Sequence, residues 1–440
     1  MAKTRLLFVN HATTIGGGER SMLELARALG HTRYDITFAL SGPGPLAKAL
    51  AKAGERVYFY RAEPSLLNFH REAISPLSVA WWRHVGKVFR AARSLRSVIA
   101  AERSELIHTH SQKAHVFATL AVVGMDVPLI WHMRDVLVGR FARGIIDVLA
   151  AARAARVIAI SNAVVEQFKL ARGKATVVYN AVAPPEPLGP EFVARTKSAW
   201  GVPRDARVLG CVGQIAPWKG QHVFVEAAAA LAPAFRDLYF VVIGSPLYGA
   251  RAYYAELIRK VRRAGLAPRF RFLGQREDAA RTIGAFDVLV HTPVKTEPFG
   301  RVIVEAMARG VPVVASRSGG APEIMEDGRE GFLVEVGHAG ATAAATAFLL
   351  DDPLLAAEVG ARGCETYKRR FTVERLCQEV ELIYYDVLRP ALPLRFQKSP
   401  VKAATSPAAR GGLAKGSYPL SREEETVALK TGVKGPPQIL

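Results

Sequence analysis

The chain has 440 residues, of which half are hydrophobic, 22% charged and 8% aromatic, a balance that excludes a disordered chain and at this length implies two domains with a large buried core. Its 59 Lys and Arg against 39 Asp and Glu leave a formal charge of +20, which favours an anionic partner without choosing among nucleic acid, an acidic membrane face and phosphorylated small molecules. The scattered Cys211, Cys364 and Cys377, with no CxxC or Cys/His cluster, argue for reduced thiols in a cytosolic setting and against structural zinc.

Met1 to Val9 starts basic but has an apolar run of only four residues, so it reads as a first strand and not as a signal peptide. No window of about 18 uninterrupted apolar residues exists, and no membrane span is expected. Strands are predicted at Arg5 to Asn10, Asp35 to Leu40, Arg56 to Tyr60, Leu106 to His110, Pro128 to Met133, Arg156 to Ile160 and Ala175 to Tyr179, with helical periods between them. Continuous apolar strands separated by crossovers predict a parallel sheet covered on both faces, the doubly wound α/β plan.

The first strand-helix junction carries Gly16-Gly17-Gly18-Glu19-Arg20. It is not GxGxxG, so a dinucleotide fingerprint is not supported, but three glycines before an amphipathic helix let a ligand approach the backbone closely. Over Ser78 to Ala101 the residues Trp81, Val85, Val88, Ala92, Leu95 and Ile99 recur at helical spacing and should face the core. Arg83, Lys87 and Arg90 lie opposite, with Trp82 and Phe89 on a flank, and no acid precedes Glu102. Aromatics edging a basic face suit a surface resting on anionic lipid headgroups, and a solvated helix is the plainer alternative. The strand from Pro128 ends in His132, Arg134 and Asp135, at the carboxyl edge where open α/β sheets collect ligands. His110 ends another strand. Ser161-Asn162 reads as a helix cap.

Prolines at 184, 185, 187 and 190 mark a linker over 181–205 between a first domain, 1–180, and a second, 206–371. Strands of the second half are predicted near Arg207 to Val212, Leu238 to Gly244, Phe270 to Leu273, Asp287 to His291, Val311 to Ala315 and Phe332 to Val334. Its first junction, Gly213-Gln214-Ile215-Ala216-Pro217-Trp218-Lys219-Gly220, sets a lysine before a helix start, a natural counter-charge for phosphate. A helix over 372–389 closes this half, and 390–440 reads as a mobile basic tail rich in Pro, Gly, Ser and Lys.

The chain is organised around Thr292 to Ser316. After a strand it turns at Pro298 and Gly300, runs as a helix expected to reach Gly310 and enters the next strand. Glu297 precedes the helix and Glu305 lies inside it, so that one ligand could touch both acids and the helix end. Glu297, seven residues and Glu305 around Pro298-Phe299-Gly300-Arg301 resembles the signature of the retaining nucleotide-sugar glycosyltransferases of glycosyltransferase family 4. Gly16-Gly17 and Ser318-Gly319-Gly320-Ala321-Pro322-Glu323 are similar to further family patterns, and the likeness covers roughly Arg5 to Leu388.

The resemblance implies a GT-B fold, two Rossmann-like doubly wound domains facing each other across a cleft, with the C-terminal helix crossing back to the first domain. It implies that Glu297 contacts the donor sugar, Glu305 the ribose, Lys219 the diphosphate and His132 the region of sugar and acceptor hydroxyl. Gly16, Gly17, Gln214, Phe299, Gly300 and Arg301 would complete the donor site. Two departures stand out: Gln214 replaces a common Arg, leaving Lys219 alone or helped by Arg301 or Lys295, and His338 replaces a capping acid. The chain has no Asp-x-Asp pair, so no metal or other cofactor is expected beyond the nucleotide-sugar co-substrate.

The partners expected are a nucleotide-sugar donor, a glycan or lipid-linked acceptor and an anionic membrane surface, with no nucleic acid, at the cytoplasmic face of the plasma membrane. Two other classes share parts of the pattern: a sugar-nucleotide epimerase of similar shape and a non-enzymatic basic nucleic-acid binder. For the latter the basic residues are spread along the chain and no RNA or DNA module is visible.

Overall fold

The computed structural model describes residues 3–67, 79–137, 139–246 and 249–389, without the side chains of 64, 67 and 79–84. The expected tail and the side chains of Trp81, Trp82 and Arg83 therefore lie outside the described residues.

Seven strands form the first sheet: β1 (Thr4–Asn10), β2 (Tyr34–Leu40), β3 (Arg56–Phe59), β4 (Leu106–Thr109), β5 (Leu129–Met133), β6 (Arg156–Ala159) and β7 (Ala175–Val177). Their order is β3-β2-β1-β4-β5-β6-β7, and every pair is parallel. The strand period of two sorts β1 between two cores. Leu7 and Val9 pack with the helix Val79–Ala101, through its Ala91, Ala92, Leu95 and Ile99, while Leu6 and Phe8 pack with Met22 and Leu25 of the helix Gly17–Leu29 on the other face.

The second sheet has six parallel strands, β8 (Arg207–Val212), β9 (Leu238–Ile243), β10 (Phe270–Phe272), β11 (Val288–His291), β12 (Val313–Ser316) and β13 (Phe332–Val334), in the order β10-β9-β8-β11-β12-β13. Two doubly wound lobes, each with its order reversing beside its first strand, make the GT-B architecture. The last helix, Val373–Leu388, is capped by the Thr372 side chain and buries Val373, Leu376, Val380 and Tyr384 in the first lobe's core against Leu6, Met22 and Leu25. It thus crosses back to that lobe. The hydroxyl of Tyr384 lies 2.5 Å from Nδ1 of His108 on β4.

Two expectations are corrected here. The helix after Gly300 spans only Arg301–Met307, because Val311 N–H returns to the carbonyl of Ala306 and Gly310, at φ +68°, turns the chain. Pro312 lacks an N–H, so the following strand starts at Val313, although the Pro312 carbonyl still accepts from Leu289. His338, standing where the family more usually has an acid, itself caps the next helix: its Nδ1 accepts Ala341 N–H at 2.9 Å.

Because Tyr384 is fully buried where the returning helix meets the first sheet, Tyr384→Ala should cost about 3–5 kcal/mol. A fall in the urea midpoint well beyond that of Tyr384→Phe is the expected result.

Candidate active site

Past β8 the chain turns into a short 3-10 turn, Pro217–Lys219, and then the helix Gln221–Leu231. Gly220 joins them at φ +69°, and a Cβ there would stand 1.8 Å from the Thr292 carbonyl oxygen, so only glycine lets this loop press against the one after β11. Thr292 Oγ1 donates to the Gly220 carbonyl at 3.0 Å, and Val294 N–H to that of Trp218 at 2.9 Å. The two loops are thereby laced together, and Lys219 meets Glu297 across them.

Lys219 Nζ lies 4.3 Å from the centre of the Trp218 ring and donates to Glu297 Oε2 at 2.5 Å. His291, at the end of β11, has Nε2 3.5 Å from the same oxygen. Burial pushes the Glu297 carboxyl up, but Lys219 and His291 outweigh it and hold the group at about 2. The acid is therefore a carboxylate throughout the physiological range, and Lys219 is already ion-paired. Gly319 and Gly320 support the loop from behind. Gly320 N–H donates to the Glu297 carbonyl at 2.9 Å, and a Cβ on Gly319, at φ +56°, would come within 1.9 Å of that oxygen.

The second acid belongs to a different group of side chains. Arg301 makes a bidentate pair with Glu24 of the first lobe, at 2.9 and 3.0 Å, donates to the Ala181 carbonyl at 2.9 Å and lies 3.6 Å from Glu305. Burial raises the Glu305 carboxyl, with Arg301 and Arg20 opposing and Glu24 adding to the rise. Glu305, Arg301, Glu24, Arg20, Glu277 and Arg281 help to line a cavity of about 380 Å³ between the lobes. Glu297 and Lys219 are not among its walls.

Gly16 and Gly17 stand where the first helix begins. Gly16 N–H donates to Glu19 Oε2, and the space a Cβ on Gly17 would take abuts the Arg301 stem at 3.5 Å. Gln214 lies in the second lobe's loop, its carbonyl accepting from Gln221 at 2.9 Å. Gly300 takes the left-handed conformation at φ +100°, which glycine adopts without the strain a Cβ would bring.

Two site expectations change with the structure in view. Phe299 presents no side chain to a ligand: its ring is buried against Tyr179 and Phe371, where the lobes join. His132 does not open toward the cavity. It is fully buried at the end of β5, with Nδ1 3.3 Å from Arg134, whose guanidinium also donates to Ser21 and Asn180 at 2.8 and 2.7 Å. Burial, with Arg134 beside it, keeps His132 neutral, its pKa well below the usual imidazole range. His108, His110 and His132 bring ring nitrogens within 4.8 Å of one another, but the Arg134 guanidinium, 3.4 Å from His110 and 3.3 Å from His132, already supplies the positive charge there.

The basic face expected on Val79–Ala101 is partly neutralised by a residue distant in sequence. Glu63 pairs with Lys87 at 3.0 Å and Arg90 at 2.6 Å, while Phe89 stays 57% exposed. Glu323, by contrast, was legible only as part of a pattern. From the second lobe it accepts the N–H groups of Asn162 and Ala163 at 2.8 and 3.1 Å, capping a first-lobe helix, and Ser161 Oγ donates to the Pro298 carbonyl at 2.6 Å. His291 and Glu24 also escaped the sequence, where a strand-end His and a helical Glu carry no special spacing.

The model for Glycosyltransferase Family 4 matches residues 15–184, and that for Glycosyl transferases group 1 matches 206–352. A lipopolysaccharide core biosynthesis mannosyltransferase, LpsB of Rhizobium meliloti, is 33% identical over 44% of this chain and 55% of its own length, so that match spans about half of the relative. An N-acetyl-alpha-D-glucosaminyl L-malate synthase of Bacillus anthracis is 25% identical over 86% of this chain and 95% of its own. Among solved structures, Anabaena HepE in complex with UDP-glucose is similar with a TM-score of 0.76 and 27% identity, covering 87% of this chain and 99% of that one.

Removing Lys219 leaves a buried carboxylate unpaired, so Lys219→Ala should destabilise the protein by about 3–5 kcal/mol at pH 7, with Lys219→Ala/Glu297→Gln recovering most of it. The sign with pH follows from the depressed carboxyl: the wild-type contribution is full above the unfolded value near 4.3 and is lost as pH falls toward about 2. Urea unfolding at pH 7 and pH 3 checks both, and the gap between wild type and Lys219→Ala should narrow at the lower pH.

Proposed function

The chain belongs to the glycosyltransferases, with a Glycosyltransferase Family 4 domain followed by a Glycosyl transferases group 1 domain, and on that premise we propose that it moves a sugar from a nucleotide-sugar donor to a glycan or lipid-linked acceptor in cell-envelope polysaccharide synthesis. The observation that carries the reading is the contact of Lys219 with Glu297 on the loop leading into the helix whose Glu305 lines an inter-lobe cavity.

In this reading the donor's ribose hydroxyls meet Glu305, and its diphosphate lies between Lys219, Gln214, the Gly16-Gly17 loop and the amides after Gly300. Lys219 exchanges Glu297 for phosphate oxygens, which frees the Glu297 carboxylate to accept hydroxyls of the sugar. Departure of the nucleoside diphosphate leaves an oxocarbenium-like ring, and Lys219 offsets the negative charge growing on the leaving group. Arg301 is held by Glu24 and orders the ribose acid. His132 acts on the sugar end by fixing Arg134. The acceptor attacks on the face the leaving group vacates, the phosphate takes its proton, and configuration is retained. No metal takes part.

Hydrolysis by the two carboxylates is disfavoured because Glu297 is engaged by Lys219 and Glu305 belongs to the separate Arg301 group, and because such hydrolysis leaves the Lys219 cation without a role. The acceptor's membrane setting is supported by the net charge of +20 and by the lipopolysaccharide enzyme among the relatives. Among the described residues no helix is long and apolar enough to cross a membrane. The contact in this reading is peripheral, at the cytoplasmic face.

A panel of nucleotide sugars tests the reading, with UDP-glucose first because it is bound in the HepE structure. One donor should raise the melting temperature, by an amount equivalent to about 2.7 kcal/mol at a hundredfold excess over Kd. Glu305→Ala should lose that shift, and Lys219→Ala/Glu297→Gln should fold but fail to transfer. Transfer should survive EDTA. A panel in which no nucleotide sugar stabilises the protein would sink the assignment.

A further inference from the structure

The helix Arg140–Arg153, about which composition and spacing said nothing, carries an unusual outer face. Phe141, Ile145 and Val148 stand 64%, 38% and 52% exposed at helical spacing, and together they form one stripe along the solvent side. Its inner face, by contrast, is ordinary: Ile146 and Ala150 enter the core beneath the first sheet.

The helix has one acid, Asp147, and it is turned inward. Its carboxylate accepts the backbone N–H groups of Lys169, Leu170 and Ala171, each at 2.9 Å. These bonds clamp the segment after the helix Asn162–Val165 against Arg140–Arg153 and hold Leu170 out in solvent, 66% exposed. The exposed charges of the helix are Arg140, Arg143 and Arg153, and those of the neighbouring segment are Lys169 and Arg172, with Glu166 exposed just before it. Neither segment, 140–153 or 169–174, presents an acid to solvent.

We infer that this face is a membrane-docking surface, in which Phe141, Ile145, Val148 and Leu170 enter the acyl boundary of an anionic bilayer while the surrounding cations meet its headgroups. Charge complementarity selects this occupant. A bilayer accepts a shallow apolar stripe ringed by cations, whereas a second copy meeting it across a two-fold axis would set arginines against arginines. The location suits the chemistry as well. The helix leaves the carboxyl edge of the first sheet directly after β5, so its Phe141 end begins at the edge where the cleft lies. Docking there would bring a lipid-linked acceptor to the mouth of the cleft, whereas the Lys87 and Arg90 face is occupied by Glu63.

The inference rests on the membrane-acceptor reading, and its test separates the two. The full-length protein is sedimented with vesicles of phosphatidylglycerol and phosphatidylethanolamine, and with phosphatidylcholine alone. Wild type should partition to the anionic vesicles, and Phe141→Asp/Val148→Asp should lose roughly thirtyfold or more of that partitioning, while its melting temperature and its thermal shift with donor are kept. Lys87→Glu/Arg90→Glu should bind vesicles nearly as wild type does. As a gain-of-signal check, Phe141→Trp should show a blue-shifted emission with anionic vesicles only. Wild-type partitioning by Phe141→Asp/Val148→Asp would overturn the inference, and so would a wild-type dimer that these substitutions dissolve. Loss of the donor shift in wild type would instead count against the glycosyltransferase site and leave the docking result standing.

Discussion

The ion pair between Lys219 and Glu297 is the constraint on which the site depends. Each residue sits on a loop that leaves a parallel strand at its carboxyl end, and neither loop could come so close if Gly220 carried a Cβ. Two mostly buried opposite charges at 2.5 Å give the donor loop a single arrangement before any substrate arrives. The pair also defines what a ligand has to do. In the proposed function a diphosphate that takes the lysine releases a carboxylate held ionised, and an acid of that kind accepts hydroxyls and does not donate a proton. Preorganisation and charge supply are thus the same contact seen with and without donor.

The lobes are joined by polar as well as apolar contacts, and several of these reach the segment from Pro298 to Arg301. Ser161 holds the Pro298 carbonyl, Glu323 caps a helix of the first lobe, and Arg301 spans from the start of its helix to Glu24. Phe299 fills the space between Tyr179 and Phe371. Any change in lobe spacing therefore moves the segment that carries both acids, a physical route from closure to the geometry of the site. Arg301 shows how this works locally. It lies 3.6 Å from Glu305 and is itself held from the first lobe by Glu24 and the Ala181 carbonyl.

The surplus of positive charge has more than one destination. Part is spent inside, where Arg134 is cradled by His110, His132, Ser21 and Asn180. Part is neutralised across helices, as Glu63 does for Lys87 and Arg90. What is left exposed beside apolar side chains on Arg140–Arg153 is a small fraction of the total, yet it is the fraction that can select a surface. Net charge alone was a poor guide to location, because pairing is settled between residues far apart in the chain.

By itself the sequence determined the alternation of strand and helix and the two lobes, and it singled out the segment that carries Glu297 and Glu305, because these follow from local quantities: a period of two or 3.6, glycine where the backbone must turn, and acids at fixed separation on one segment. It placed every strand within two residues, the largest shifts falling at the end of β7 and at Pro312, where a lost N–H delays the pairing. The partners of those residues only the tertiary structure decided. That Lys219 meets Glu297, that Arg301 meets Glu24, that Arg134 is held by Ser21 and Asn180 and that Phe299 packs against Tyr179 and Phe371 are contacts between segments up to hundreds of residues apart. No periodicity encodes such distances, since they are set by how two sheets and their covering helices close around a shared interior.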